Sequence, residues 1–272
     1  MNYIMSTKSN FRFITFLSFS ALFLNGCSTG EGTMKANKGY GLVKNMVDKV
    51  GSFEKMKQKK DVTYRYSYTT PDGKNDTSIE KYVFDGELSY GQYINHQRTF
   101  PDLKGVIEQG YDGAEFWLKH DGKIVDEKER LKQVAFNRPT NYYWFTMMQK
   151  LVDPGLIYEY LGEAKVEGQD YDIVKISFET KGDKPSDIYQ VYINKETLMV
   201  DQFLFTVVDF NVVEEPFLMK VQYEIIDGFY LPTKRKYQKS TWKANVSNKP
   251  WIEVLWTDIS FNNNLTKEVF KK

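Results

Sequence analysis

The sequence predicts a mainly β protein of the α+β class, in which an antiparallel sheet packs on two helices. In residues 217–225 apolar and polar side chains alternate with a period of two, which indicates a half-buried strand. Asp-Gly dipeptides and related turn signals recur at short intervals along most of the chain. No helical crossovers of the kind that a parallel sheet needs lie between them, so the strands are expected to form an antiparallel meander.

The first segment has the features of an export signal. Lys8 and Arg12 precede an apolar run, residues 13–24, that is too short to span a membrane as a helix. The run ends in Leu24-Asn25-Gly26-Cys27, which resembles the lipobox of bacterial lipoproteins, and Cys27 is the only cysteine of the chain. This resemblance implies that residues 1–26 are a signal peptide and that Cys27 carries lipid, with acyl chains such as palmitate. The alternative is an ordinary secretory signal that contains a cysteine.

Composition and charge restrict the remaining possibilities. The chain has 272 residues, of which 41% are apolar and 27% charged, so it can bury a core of its own. Removal of residues 1–26 takes away Lys8 and Arg12 and no acidic residue, so the net charge changes from +1 to −1, which argues against a nucleic-acid partner. A single cysteine allows no disulfide framework. After the lipidated Cys27, residues 27–37 are polar and are expected to form a flexible tether, followed by one domain at 38–272.

Two helices are predicted. In residues 42–53 apolar side chains recur at helical spacing, so one side of the first helix is expected to be buried. The second helix is expected after Arg138-Pro139, with Thr140 or Asn141 as its cap and the turn 153–155 at its end. It is apolar almost all round, which predicts a position inside the curve of the sheet or across its mouth. Simple core packing and the lining of a ligand cavity predict the same residues here.

The strands are predicted from alternation and bounding turns. Asp227-Gly228 favours a type I′ turn, so residues 217–225 and 229–237 are expected to form a hairpin. The other predicted strands are 62–69, 79–84, 88–94, 114–118, 157–161, 170–178, 187–194, 198–210 and 251–261.

Motifs for catalysis or metal binding are missing from the sequence. The two histidines, His96 and His120, do not have the spacing of zinc ligands, and no nucleophile elbow, P-loop or dinucleotide-binding glycine pattern occurs. Asp201 and Asp209 lie among aromatic residues, where a buried carboxyl group could act as a general acid, but a solvent-facing position beside a turn explains Asp201 as well. The sequence therefore predicts no enzyme activity, no cofactor and no metal.

A series of turn and strand-end motifs, taken in order, resembles the LolA-like superfamily over about residues 38–262. The motifs are Tyr111-Asp112-Gly113 with Trp117; Tyr160-Leu161-Gly162 with Val166, Gly168, Tyr171 and Val174; Tyr192-Ile193-Asn194-Lys195-Glu196-Thr197; and Asp227-Gly228 with Leu231-Pro232. Outer-membrane lipoproteins of Bacteroidota with this domain resemble the chain most. Asn194 departs from the family pattern, which often has aspartate there.

The resemblance implies a strongly curved antiparallel sheet, an unclosed β-barrel, wrapped around helices with an apolar cavity between. It further implies a lipoprotein of the outer membrane, facing the periplasm, that binds a lipid or an acylated ligand without catalysis. The residues expected to bind the ligand are Tyr142, Trp144, Phe145 and Met148 of the second helix and Met219, Val221 and Tyr223 of the sheet. The alternative is an envelope module with a self-filled core that docks a protein partner or acts as a sensor.

Overall fold

A single antiparallel sheet of thirteen strands forms the framework of the part of the chain that is described. The computed structural model describes residues 30–180 and 185–272. The strand order is β6-β5-β4-β3-β2-β1-β13-β12-β11-β10-β9-β8-β7, so only the pairing of β1 with β13 joins strands that are distant in sequence. Strands β6 and β7 form the two edges and do not pair with each other, so the sheet is not closed. The predicted mainly β fold class, with an antiparallel sheet that does not close into a barrel, is thereby confirmed.

The elements follow one another along the chain with short connections. They are α1 (Gly30–Val50), α2 (Phe53–Lys57), β1 (Asp61–Thr69), β2 (Asn75–Val83), β3 (Leu88–His96), β4 (Ile107–Tyr111), β5 (Phe116–His120), β6 (Lys123–Ile124), α3 (Lys128–Lys150), β7 (Leu156–Val166), β8 (Gln169–Phe178), β9 (Ile188–Asn194), β10 (Val200–Val207), β11 (Val212–Ile226), β12 (Phe229–Lys239) and β13 (Ile252–Phe261). A 3-10 turn, Val208–Phe210, lies between β10 and β11, and a second one, Lys267–Phe270, follows β13.

Helix α3 lies inside the curve of the sheet, because successive parts of it pack on different strands. Val134 is buried with side chains of β3, β4 and β5. Tyr142 and Phe145 are buried with side chains of β1, β2, β12 and β13. Met147 and Met148 are buried with α1 and with strands β8 to β11. One helix therefore contacts nearly the whole width of the sheet, which can only happen if the sheet wraps around it.

The β11–β12 hairpin forms as the sequence predicts. Asp227 and Gly228 have φ values of 51° and 85°, the left-handed conformation that the type I′ turn requires. Ile226 pairs with Phe229 next to the turn. The alternation is interrupted by a register shift between Gln222 and Glu224, so that Ile225 is 64% exposed although the apolar pattern predicts it to face the core.

The first helix differs from the prediction at both ends. Helix α1 begins at Gly30 and so includes residues 30–37, which the sequence suggested would be a tether. It ends at Val50, and Gly51, with a φ of 93°, separates it from α2. Ser52 then caps α2 by accepting a hydrogen bond from the Lys55 backbone N–H at 3.4 Å. The predicted buried face is confirmed, since Val43, Met46, Val47 and Val50 lie in the core.

The predicted start of the second helix is wrong. Helix α3 begins at Lys128, and Pro139 lies inside it. A proline costs a helix interior one backbone hydrogen bond, so the sequence favours a boundary there. In the folded chain Val134 is fully buried and Arg138 forms a buried ion pair, and these contacts hold the polar first half of α3 in place.

Strand β4 is not evident in the sequence because of Gly110. Glycine in a strand interior weakens the strand pattern, but here it makes room for a ring. A Cβ at Gly110 would lie 2.1 Å from the indole of Trp117, its partner on β5. The large aromatic therefore packs directly on the β4 backbone.

The predicted signal peptide, residues 1–26, and the predicted lipidation site Cys27 lie outside the described residues. Among the residues that are described, no helix combines the length and the apolar character needed to cross a membrane.

Candidate ligand-binding cavity

A cavity of about 830 Å³ lies between α3 and the inner face of the sheet. Its volume is in the range of small-molecule binding sites, about 300–1,000 Å³. Helix α3 contributes one stripe of residues to the lining, at positions 133, 136, 137, 140, 141 and 144. The other lining residues come from the sheet and its loops: Tyr64, Tyr66, Tyr68, Asp76, Tyr93, Arg98, Thr99, Phe205, Val207, Asp209, Phe210, Val212, Phe217, Met219, Arg235, Tyr237, Ile252, Val254 and Trp256, with Lys132 of α3 at the margin.

The structure brings two of the seven predicted ligand-binding residues to this cavity, Trp144 and Met219. Tyr142 and Phe145 lie on a neighbouring stripe of α3, in the core cluster that includes Tyr64, Tyr82 and Trp256.

The remaining three predicted residues pack elsewhere in the core. Met148 and Val221 are buried with side chains of α1, and the Tyr223 hydroxyl donates a hydrogen bond to the Val200 carbonyl at 2.9 Å. A helix that is apolar almost all round gives no indication of which stripe faces a hollow, and this is why the sequence could not separate core from lining.

Aromatic rings form one wall of the cavity. Trp144 meets Phe205 edge to face, with ring centroids 5.2 Å apart, and stacks at 6.1 Å on Phe203, a core residue that does not itself line the cavity. Phe205 continues the row to Phe217 at 5.5 Å and to Tyr237 at 5.7 Å. Rings packed in this way give a broad apolar surface on which an acyl chain can lie.

A compact polar group occupies another side of the lining. Asp76 is 2% exposed and accepts hydrogen bonds from the backbone N–H groups of Arg98 and Thr99, at 2.8 and 3.1 Å, and from the Thr99 hydroxyl at 2.8 Å. The Arg98 guanidinium lies 3.7 Å from the same carboxylate and 3.8 Å from the ring centre of Tyr68. The Tyr68 and Tyr237 hydroxyl groups hydrogen-bond to each other. These polar side chains therefore satisfy one another.

Exposure increases from the floor of the cavity to its mouth. Trp256 and Arg235 are 2% and 6% exposed, whereas Phe210 in the turn after β10 is 65% exposed. The Lys132 side chain, on the first half of α3, is 70% exposed. Phe210 meets Phe136 of α3 edge to face at 4.9 Å. The mouth thus lies where the first half of α3 approaches the β10–β11 connection.

Arg235 was not among the predicted residues, although the sequence contains a signal for it. In β12 the alternation that follows the hairpin turn places Leu231, Thr233 and Arg235 inward and Lys234 and Lys236 outward. An arginine at an inward position of a central strand is unusual, because charged residues are rarely buried unless they are paired. Counting strand parity from the Asp-Gly turn would have identified it.

The two histidines have structural roles. The ring nitrogens of His96 hydrogen-bond to the carbonyls of Thr99 and Gly105, at 3.1 and 3.0 Å, and His120 Nε2 bonds to the Lys104 carbonyl. Within residues 30–180 and 185–272, no three side chains of the metal-ligating types converge.

The carboxylates considered for catalysis also lie apart. Asp201 accepts hydrogen bonds from the Tyr171 hydroxyl at 2.9 Å and from Asn194 Nδ2 at 2.8 Å, in the network that holds the β9–β10 turn. Asp209 lines the mouth of the cavity.

The architecture defines the class of protein: an open antiparallel sheet, curved around a helix, with a cavity between them. Among solved structures, this chain is similar to a DUF1329 family protein from Desulfovibrio piger, at 16% identity and a TM-score of 0.52, over 87% of this chain and 97% of the other. It is also similar to a LolA superfamily protein from Nitrosomonas europaea, at 10% identity and a TM-score of 0.50, over 86% and 97% of the two chains.

These likenesses show that the chain has the LolA-like fold. They do not support the closer link to lipoproteins of Bacteroidota. The sequence matches no protein-family profile and no curated protein.

Proposed function

We propose that this protein is a membrane-anchored lipoprotein of the cell envelope that binds a hydrophobic or acylated ligand in the cavity beside α3. The observation that carries the proposal is the cavity itself, about 830 Å³ with an aromatic wall. A module that only docked partners on its outer face would gain stability by filling this space with its own side chains, since a cavity costs folding free energy. The cavity therefore favours ligand binding over docking.

The mechanism is burial without catalysis. Each methylene group moved from water to an apolar site contributes about 0.8 kcal/mol, so a chain with roughly ten buried methylenes gains about 8 kcal/mol before the cost of immobilisation. The row formed by Trp144, Phe205 and Phe217 supplies the apolar surface. The ligand is a lipid or the acyl part of a lipoprotein, and no cofactor takes part.

The anchor would be the lipid on Cys27, which holds the domain at the outer membrane on its periplasmic side. The resemblance of residues 24–27 to a lipobox supports this assignment. An envelope protein that delivers or receives the ligand is the expected protein partner.

Native mass spectrometry with lipid extraction tests the proposal. Residues 27–272 include every helix, strand and core cluster described above, so the chain is expressed from Cys27 without its lipid. We expect a co-purified acyl species, or uptake of one when fatty acids and phospholipids are offered. A mass that stays empty under both conditions would contradict ligand binding.

A matched pair of tryptophan variants tests the location of the site. Trp144→Ala removes a ring of the aromatic wall, and we expect the affinity for an acyl ligand to fall at least about tenfold, since that ring is a large apolar surface of the cavity lining. Trp251→Ala removes a ring that packs on the outer face of the sheet, against Tyr192 and Leu218 among others, and should leave binding unchanged. Equal affinities for the two variants would place the ligand elsewhere.

A further inference from the structure

The cavity contains a buried positive charge whose position is fixed by the sheet. Arg235 lies in β12 between β11 and β13, in register with Val221 on one side and Val254 on the other. All three side chains are buried, whereas Lys234 and Lys236 on either side of Arg235 are exposed. The guanidinium is therefore held inside by the pleat of a central strand.

No described residue provides an acceptor for this guanidinium. Its nitrogens make no hydrogen bond or ion pair with any described residue, and its Nε is buried without a partner. The acid–base groups that act on it are phenols, chiefly Tyr66, Tyr64 and Tyr237. Burial raises the pKa of each of these phenols well above its usual value, so they are neutral. Burial also lowers the pKa of Arg235, in keeping with the lack of a carboxylate beside it among the described residues.

The Arg235 guanidinium contacts aromatic rings. It lies 4.0 Å from the ring centre of Trp256 and 5.9 Å from that of Trp144. Stacking on a ring orients the planar guanidinium and leaves its N–H groups, which point outward in the plane, free for an acceptor. The indole Nε1 of Trp256 is likewise buried without an acceptor. Hydrogen-bond donors are thus in excess at the floor of the cavity.

The positive charges around the cavity differ in whether they have a carboxylate partner. Lys132, at the exposed margin, forms an ion pair with Glu129 at 2.6 Å. Asp76 already accepts hydrogen bonds from Arg98 and Thr99. The uncompensated charge is that of Arg235.

We propose that Arg235 binds the anionic head group of a single-chain amphiphile, a carboxylate or a phosphate, at the floor of the cavity. This inference rests on the proposed function and narrows its ligand class. Because Arg235 is 6% exposed and Phe210 at the mouth is 65% exposed, the head group enters first and the chain lies along Trp144, Phe205 and Phe217 toward the mouth. A chain attached to a protein through an ester or amide has no anion at its end and is the poorer ligand.

Affinities for matched ligands test the inference. Hexadecanoate, hexadecyl phosphate and methyl hexadecanoate are titrated at pH 8 into the chain expressed from Cys27, with inorganic phosphate as a fourth ligand. Hydrogen bonds to a charged group contribute enough that we expect the two anionic ligands to bind roughly 10- to 100-fold more tightly than the ester. Arg235→Met should reduce that preference to about threefold or less, and Arg235→Lys should keep part of it, because a charge remains.

The control is Arg65→Met, the same substitution at an exposed arginine that is paired with Asp258 on β13, and it should keep the full preference. A preference for one anionic ligand over the other supports the inference and identifies the head group. Three outcomes overturn it while the proposed function stands: the ester binds as tightly as hexadecanoate, the preference survives Arg235→Met, or inorganic phosphate binds as tightly as the hexadecyl ligands. If no acyl ligand binds the unmodified chain, the proposed function fails as well.

Discussion

Two arginines are buried in the described part of the chain, and they differ in the groups that surround their charges. Arg138 of α3 is fully buried and donates to Glu80 of β2, with Nη1–Oε2 and Nη2–Oε1 distances of 2.9 and 3.4 Å. Glu80 accepts two further hydrogen bonds, from Ser78 Oγ at 2.6 Å and from the Tyr82 hydroxyl at 3.1 Å. Arg235 of β12 is nearly as buried and has an aromatic ring in place of a carboxylate.

The pKa directions of the two guanidinium groups are opposite. Burial alone lowers the pKa of both. At Arg138 the Glu80 carboxylate, with contributions from Tyr93 and Tyr82, outweighs burial, and the pKa is raised. At Arg235 no described carboxylate opposes burial, and the pKa is lowered. The Nε of each arginine is buried without a partner, so the difference between them is the carboxylate: Glu80 balances the charge of Arg138, and no described carboxylate balances that of Arg235. The first arginine therefore serves the fold, and the second is available to a ligand.

The largest loss of stability is expected when Arg138 is removed from its ion pair with Glu80. Arg138→Met leaves the Glu80 carboxylate buried without its counter-charge, and we expect a loss of about 3–5 kcal/mol in the free energy of unfolding. Urea unfolding followed by circular dichroism measures it.

The double variant Glu80→Met with Arg138→Met should lose less than the single one, because no uncompensated charge remains. A loss in the double variant equal to the two single losses added together would mean that the two side chains do not act as a pair.

A smaller loss of stability is expected when a methyl group is added next to the Glu80–Arg138 ion pair. Gly91 of β3 lies beside it, and a Cβ there would come within 2.5 Å of Arg138 Nη1 and 2.8 Å of Glu80 Oε1. We expect Gly91→Ala to lower the free energy of unfolding by about 1–3 kcal/mol, since the sealed pair has little room to move.

Gly41→Ala is the matched control, because nothing lies within 4 Å of a Cβ at that helical position. It should be neutral or stabilising by up to about 1 kcal/mol. Thermal unfolding of both variants measures the difference, and equal midpoints would show that the Glu80–Arg138 pair tolerates the added methyl group.

Local sequence patterns were sufficient to predict most of the sheet, but they were insufficient to predict the candidate site. The alternation of 217–225 and the turn at Asp227-Gly228 are set by neighbours in the chain, and the hairpin formed as predicted. The start of α3 depended instead on Val134 and Arg138, whose partners lie on distant strands. Helix propensity and the proline at 139 predicted the wrong start because these long-range contacts, which cannot be read from the local sequence, outweigh them.

The cavity was even harder to predict from the sequence. Trp144 lines it and Phe145 does not, although both are aromatic neighbours on one helix. A hollow is the absence of a side chain opposite a given stripe, and no single residue encodes it. Arg235 could have been found, because strand parity counted from the turn makes it an inward charge without a carboxylate nearby in sequence.

The smallest effect, and the sharpest contrast with Arg138→Met, is expected when the unpaired arginine is replaced in the empty protein. Arg235→Met removes a buried charge that has no counter-charge among the described residues, so relief of its desolvation offsets the lost contact with Trp256. We expect the free energy of unfolding to stay within about 1 kcal/mol of the original value or to rise. Urea unfolding of delipidated protein measures it, beside Arg65→Met, which should also change little because its ion pair is exposed. A loss comparable to that of Arg138→Met would mean that the fold itself depends on the charge of Arg235, and the distinction between a structural and a ligand-binding arginine would fail.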